Sequence, residues 1–207
     1  MAHVRAALVG FGMTFDGETA AALMREWTTS ESLRTHMLAV EAAVAAYARH
    51  EGADEDLWSA TALLHDYDYE RHPGLDVDGH PFVGVAHLRE LGAPADMLDA
   101  ILGHADHTGV ARDSRLAKVL YACDEITGLI VAAVLVRPDR DIAQLGLPSL
   151  RKKFKDKAFA RGVARDDVRR GAEELGVELW DHVAFVLEAM QARAEVLGLD
   201  GRLAEGP

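Results

Sequence analysis

The sequence predicts an all-α fold, a helical bundle with further helices added at its C-terminal end. Three observations predict it. Ala, Leu, Glu and Arg dominate the 207 residues. Runs of β-branched residues are scarce. Apolar side chains recur at helical spacing almost throughout. Residues 14–207 read as a single helical domain, with a core over about residues 30–137 and the helices of 138–200 packed on it. Residues 1–13 read as a flexible extension. A chain of this length buries a real core without staples.

The elements follow in order. A first helix covers about residues 18–27. Thr28 stands three residues before Glu31, a capping-box spacing that predicts a helix start there. The second helix carries Leu33, Met37, Val40, Val44 and Tyr47 on one face and ends near Gly52. A third covers about residues 54–64. Residues 66–79 are polar, hold Pro73 and Gly74, and read as a loop. Helices follow at about 81–91 and 94–105, the second with Pro94 in its first turn. A long helix covers 114–136 and is broken by Arg137-Pro138-Asp139. A short basic helix over about 149–160, another at 165–175, and a last amphipathic one at 178–197 complete the series. Trp180, Val183, Val186, Leu187 and Met190 line the apolar face of the last, which serves either as a homodimer surface or as a lid on the core.

The formal net charge of -12 excludes a general binder of nucleic-acid polymers, which needs a basic surface. A small phosphorylated substrate remains compatible where a metal or a local basic patch offsets the repulsion. A single cysteine, Cys123, excludes an internal disulfide. The apolar run at residues 6–9 is too short for a secretory segment, and no stretch approaches the roughly 20 apolar residues of a membrane span. These features read as a cytoplasmic protein with no membrane partner.

Chemistry concentrates in a few polar residues on apolar faces. His36 lies in line with Val40, Ala43 and Tyr47. His65 and Asp66 are adjacent at the end of the helix holding Leu63 and Leu64. Asp124 shares a face with Leu120, Thr127 and Val131. A carboxylate on a buried face is costly unless it is paired, protonated or metal-bound. Each residue also has a plainer reading: a hydrogen-bonded core histidine, a chance dipeptide, an aspartate pairing with an arginine. Three helices each presenting an inward nitrogen or oxygen favour a shared metal, which satisfies all of them. Imidazole with carboxylate suits divalent Mn, Fe, Co, Ni or Zn.

The order His36, then Leu64-His65-Asp66, then Asp124, in the contexts THMLAVEAAVAAYA, ATALLHDYDYERHPG and LAKVLYACDEITGL, resembles the HD-domain superfamily of metal-dependent phosphohydrolases, HDIG type. The resemblance spans about residues 32–127. It implies a helical bundle in which His36, His65, Asp66 and Asp124 bind one metal ion. His80, in GHPFVGVAHL, and His104, in MLDAILGHADHTG, stand where two-metal branches carry extra histidines. That layout is similar to the bacterial HD-type diadenosine tetraphosphate hydrolases and the cyclic-dinucleotide phosphodiesterases. It implies a second ion on His80 and His104 with Asp66 bridging; the plainer reading makes both histidines surface or capping residues. His107 is the first substitute for His104. The segment SLRKKFKDKAFARGV resembles a further branch of bacterial HD proteins.

The activity implied is hydrolysis of a phosphate ester or anhydride in a nucleotide or dinucleotide by metal-activated water. Asp66 would bind metal and orient that water. Asp68 and Glu70, just beyond the pair, are candidates for the general acid, with simple loop charges as the alternative. Arg71 is a candidate for substrate phosphate or for a salt bridge. Lys152, Lys155 and Lys157, with Lys153 and Arg161, form the only dense basic run. They hold a second substrate phosphate or form a solvated helix face. Two other classes stay open: a di-iron oxygenase using the same six ligands, and a non-catalytic signalling module.

Overall fold

The computed structural model describes residues 14–202. Among them ten α-helices and two 3-10 turns carry the regular structure, beside one isolated bridge between Asp141 and Asp200. The extension read at residues 1–13 lies outside the described residues.

Helix α1 (Gly17–Trp27) opens on a true capping box, in which Asp16 accepts from the Thr19 amide at 2.8 Å. Helix α2 (Glu31–Glu51) does not start from the box expected at Thr28 and Glu31. Its cap is Ser30, whose Oγ accepts from the Leu33 amide at 3.4 Å. The Thr28 hydroxyl is buried and donates to the Tyr67 carbonyl at 3.1 Å, a partner that local spacing cannot reveal. Gly52 ends α2 at φ 67, the left-handed conformation that glycine adopts without strain. Helices α3 (Glu55–Leu64), α4 (Phe82–Glu90), α5 (Ala95–Gly103) and α6 (Arg115–Leu135) follow, with Asp54 capping α3 and Ser114 capping α6.

The C-terminal part holds α7 (Leu147–Lys155), α8 (Arg165–Leu175), α9 (Leu179–Gln191) and α10 (Ala194–Leu197). The basic helix therefore stops earlier than its sequence predicts. Asp156 accepts from the Ala158 amide at 2.9 Å and turns the chain out of helix, and Ala160 takes φ 42. The last helix is broken between α9 and α10 at Ala192 and Arg193, where Arg193 reaches Glu41 on α2 at 3.4 Å.

Helices α2 and α6, each of 21 residues, form the centre. Helix α2 packs on α3, α6 and α9, and α6 packs on α5 and α8. Val40, Val44, Leu120, Ile126, Leu150, Phe154, Val168, Val183 and Met190 share one apolar cluster, so the C-terminal helices are part of the same core. A second cluster joins Met24, Met37, Leu64, Tyr67, Leu88, Met97 and Ile101 from α1 to α5. Full burial of such a side chain contributes about 1.5–3 kcal/mol. Helices α6 and α8 approach so closely that a Cβ on Gly171 would stand 2.7 Å from the Ala122 Cα.

One buried histidine belongs to this core. His182 Nε2 donates to the Ala122 carbonyl at 2.8 Å, and its Nδ1 accepts from the Tyr47 hydroxyl at 2.7 Å. Burial pushes its pKa below the usual histidine value. The unfolded chain therefore takes up a proton below about pH 6.5 that the folded chain resists, and stability falls as pH drops through that value. The thermal midpoint is expected to decline more steeply between pH 7 and pH 5 in the native protein than in a His182→Gln variant. Parallel slopes in the two proteins would remove His182 as a source of acid sensitivity.

Candidate metal centre

Five elements bring six candidate ligand side chains together. His36 projects from the second turn of α2, His65 caps α3, and Asp66 follows it. His80 lies in the turn before α4, His104 caps α5, and Asp124 sits mid-way along α6. Arg112 anchors the α5 end of this arrangement: it donates to the Gly103 carbonyl at 2.9 Å and pairs with Glu174 on α8 at 2.7 Å.

The six fall into two groups joined by Asp66. In the first, His36 and His65 Nε2 lie 3.3 Å apart, and each approaches Asp66 Oδ2, at 3.7 Å and 3.6 Å. Asp124 Oδ1 lies beside it, 3.0 Å from His36 and 3.7 Å from His65. In the second, His80 and His104 Nε2 lie 3.2 Å apart and stand 3.2 Å and 3.4 Å from Asp66 Oδ1. Ligand bonds of about 2.0–2.1 Å give ligand-to-ligand edges of about 3.0 Å at right angles and about 3.4 Å in a tetrahedron. The observed edges are of that size in both groups.

The tautomers point the same way. His65 Nδ1 donates to the Ala62 carbonyl at 2.7 Å, His104 Nδ1 to the Ile101 carbonyl at 2.5 Å, and His80 Nδ1 to Asp68 at 2.7 Å. In the neutral rings each Nε2 is then left with a lone pair aimed inward. Facing lone pairs and carboxylate oxygens at these distances require a proton or a cation between them. Burial works against the imidazolium form of His65, yet Asp66 and Asp124 prevail and push it up to about 9. His80 is likewise pushed up to about 9, burial being outweighed by Asp66 and Asp68. Burial tends to raise both metal-site carboxyls, but the surrounding histidines hold Asp66 and Asp124 well below the usual carboxylate range. The same field that holds protons here favours a divalent cation. The side chains of Asp66 and Asp124 keep 18% and 19% exposure, so the centre is open on one side.

The other candidate residues are placed elsewhere. Asp68 is buried at 1% exposure, with one oxygen on His80 and the other accepting from the Gly84 amide at 2.6 Å. Glu70 accepts from the Thr29 and Ser30 amides, each at 2.8 Å, and from the Thr29 hydroxyl. It therefore braces the start of α2. Arg71 donates to the Glu26 carbonyl and lies over the Trp27 ring at 4.6 Å. Lys152, Lys155 and Lys157 are exposed on and just beyond α7. His107 Nε2 donates to the His80 carbonyl at 3.1 Å, and His107 stays outside the candidate ligand set. Beside His36 a pocket of about 390 Å³ is lined by Ser30, Ser32, Leu33, His36, Tyr69 and Glu70. Sequence reasoning missed Asp68 as the residue that orients His80, because its partners come from α4.

The family model for the HD domain matches residues 33–129. That match covers fewer than half of the 207 residues; it supports an HD-type domain over that stretch, a domain found mostly in metal-dependent hydrolases, and the all-α bundle agrees with it. No curated protein and no solved structure gives a significant match to the chain. No helix among the described residues is long and apolar enough to cross a membrane.

Proposed function

We propose that the chain hydrolyses phosphoanhydride or phosphate ester bonds of a nucleotide or dinucleotide at a centre of two divalent metal ions. Asp66 carries this reading, with Oδ2 turned to the group of His36, His65 and Asp124 and Oδ1 turned to His80 and His104. Bound ions of the Mn, Fe, Co, Ni or Zn type supply an activated water at neutral pH and a clamp on phosphoryl oxygens.

The chain's own residues shape what binds. Two carboxylates among four neutral imidazoles leave a doubly loaded centre cationic, within a protein of net charge -12. An anionic substrate is drawn there and repelled elsewhere. Asp68 and Glu70 are both committed to other partners. An anhydride, whose leaving group is already a weak base, asks least of a general acid, which favours it over an alkyl ester.

The pocket beside His36 suits the nucleoside. Leu33 and the half-exposed Tyr69 ring give it an apolar wall, and Ser30 and Ser32 give it hydroxyls. A base stacked on an aromatic ring gains about 1–3 kcal/mol. Tyr69→Ala is expected to raise KM for a nucleotide about tenfold, while p-nitrophenyl phosphate is unaffected in the same steady-state assay. Equal effects on both substrates would take the base out of this pocket.

The deciding experiment is metal analysis of protein purified without chelators. It is paired with phosphate release from p-nitrophenyl phosphate, nucleoside phosphates and dinucleoside polyphosphates. Two ions per chain with phosphate release is the expected result. One ion would detach His80 and His104 from the centre. Iron with oxygen consumption and no phosphate release would replace hydrolysis by the oxygenase chemistry, and no bound metal at all would return the signalling module.

A further inference from the structure

The segment between α7 and α8 is built around one arginine. The Arg165 guanidinium donates to the carbonyls of Val163 at 2.8 Å and Asp156 at 3.5 Å, and to those of Phe159 and Ala160. Four carbonyls thus point inward at one cation. Across a trans peptide the carbonyl and the following amide point in opposite directions. The amides of Lys157, Ala160 and Arg161 are therefore turned outward, and none of them donates to a protein acceptor among the described residues. Lys157 and Arg161 are exposed on that outer face. Lys153 adds a third cation nearby, its Nζ 4.2 Å from the centre of the Phe159 ring. The neighbouring acids are occupied: Asp156 accepts from the Ala158 amide, and Asp166 pairs with Arg169.

The location of the loop matters as much as its charge. Val163 Cγ2 stands 3.7 Å from where a Cβ of Gly128 would lie, and Glu125 accepts from the Ala164 amide at 3.0 Å. Gly128 is four residues, about one turn, beyond Asp124 on the same face of α6, a rise of about 6 Å. The end of the loop at Val163 and Ala164 therefore abuts the helix face that carries Asp124.

We propose that loop 156–163 is an anion subsite for a phosphate distal to the one attacked, so that the preferred substrates carry two or more phosphates. Outward backbone amides joined by lysine and arginine side chains are a chemistry suited to phosphate oxygens. The substrate preference rests on the phosphohydrolase reading, whereas the anion subsite itself does not.

The test is the double variant Lys157→Ala/Arg161→Ala, whose changes lie on the exposed surface. With Mn²⁺ added, KM for ATP is expected to rise about tenfold or more, kcat to hold within about twofold, and p-nitrophenyl phosphate kinetics to stay unchanged. In parallel, inorganic tripolyphosphate is titrated calorimetrically into metal-stripped native and variant protein, where at least about tenfold weaker binding to the variant is expected. An unchanged KM for ATP, or equal rises for both substrates, would overturn the substrate preference. If the native protein turns over neither substrate, the hydrolase reading falls and calorimetry alone decides the loop: binding weakened in the variant sustains the anion subsite, and equal or undetectable binding in both proteins removes it.

Discussion

Asp66→Ala is expected to empty both metal positions together and to lower phosphate release by at least about 10³-fold, with the helical circular dichroism unchanged. The reason is geometric. Asp66 is shared by the two groups able to hold an ion, one carboxylate oxygen to each. Its loss takes an anionic ligand from both ions at once. Metal-based charge stabilisation is worth several kcal/mol, and each 1.36 kcal/mol is a factor of about ten in rate. The fold does not depend on the side chain to the same degree, since the apolar clusters are supplied by other residues of α1 to α9. His80→Ala makes the informative control. It touches only the second group and is expected to leave about one ion per chain on His36, His65, Asp66 and Asp124. Mass-spectrometric metal counts on protein reconstituted with Mn²⁺ separate the two variants. An Asp66→Ala protein that keeps one tight ion would break the bridging assignment.

How much of this was legible in the sequence depended on how local the cause was. Helices α2 and α6 could be read because their apolar faces are long, Ser114 caps one and Gly52 ends the other. The end of α7 could not, because the chain is turned there by the inward pull of Arg165, ten residues beyond the last residue of the helix. The Thr28 spacing misled for the same reason, its hydroxyl being taken by the carbonyl of Tyr67. The histidines and aspartates of the first group stood out as polar residues on apolar faces. His80 and His104 were singled out by resemblance, and the structure brings their Nε2 atoms within 3.2 Å. What the sequence hid is the direction of successive side chains in the turns after α3. Over five residues Asp66 faces the histidines, Asp68 turns to α4 and Glu70 to the start of α2. No helical or strand period governs such a run, so neighbouring carboxylates that look alike in the sequence acquire three different tasks.

Asp68 is the most consequential of these. Asp68→Ala is expected to weaken the second ion by about 10–100-fold and to leave the first nearly untouched, as is typical when the partner that orients a ligating histidine is removed. At 2.7 Å from His80 Nδ1 its carboxylate fixes the ring so that Nε2 faces Asp66 and His104. Without it the Nδ1 proton loses its acceptor and the imidazole is free to change tautomer. The same change strands the buried Gly84 amide, which costs about 1–3 kcal/mol of stability even in metal-free protein. Gly84→Ala approaches the same bond by a different route. A Cβ there would lie 2.7 Å from Asp68 Cγ and 2.9 Å from Tyr67 Cε1, so the carboxylate must move although its charge remains. Both variants are therefore expected to lose the second ion first in a Mn²⁺ titration, with stability falling in parallel. Retention of both ions at native affinity in Asp68→Ala would show that His80 is held by something else. Loss of hydrolysis with the metal count intact would instead make Asp68 a proton donor to the leaving group, a role its buried and doubly bonded carboxylate argues against.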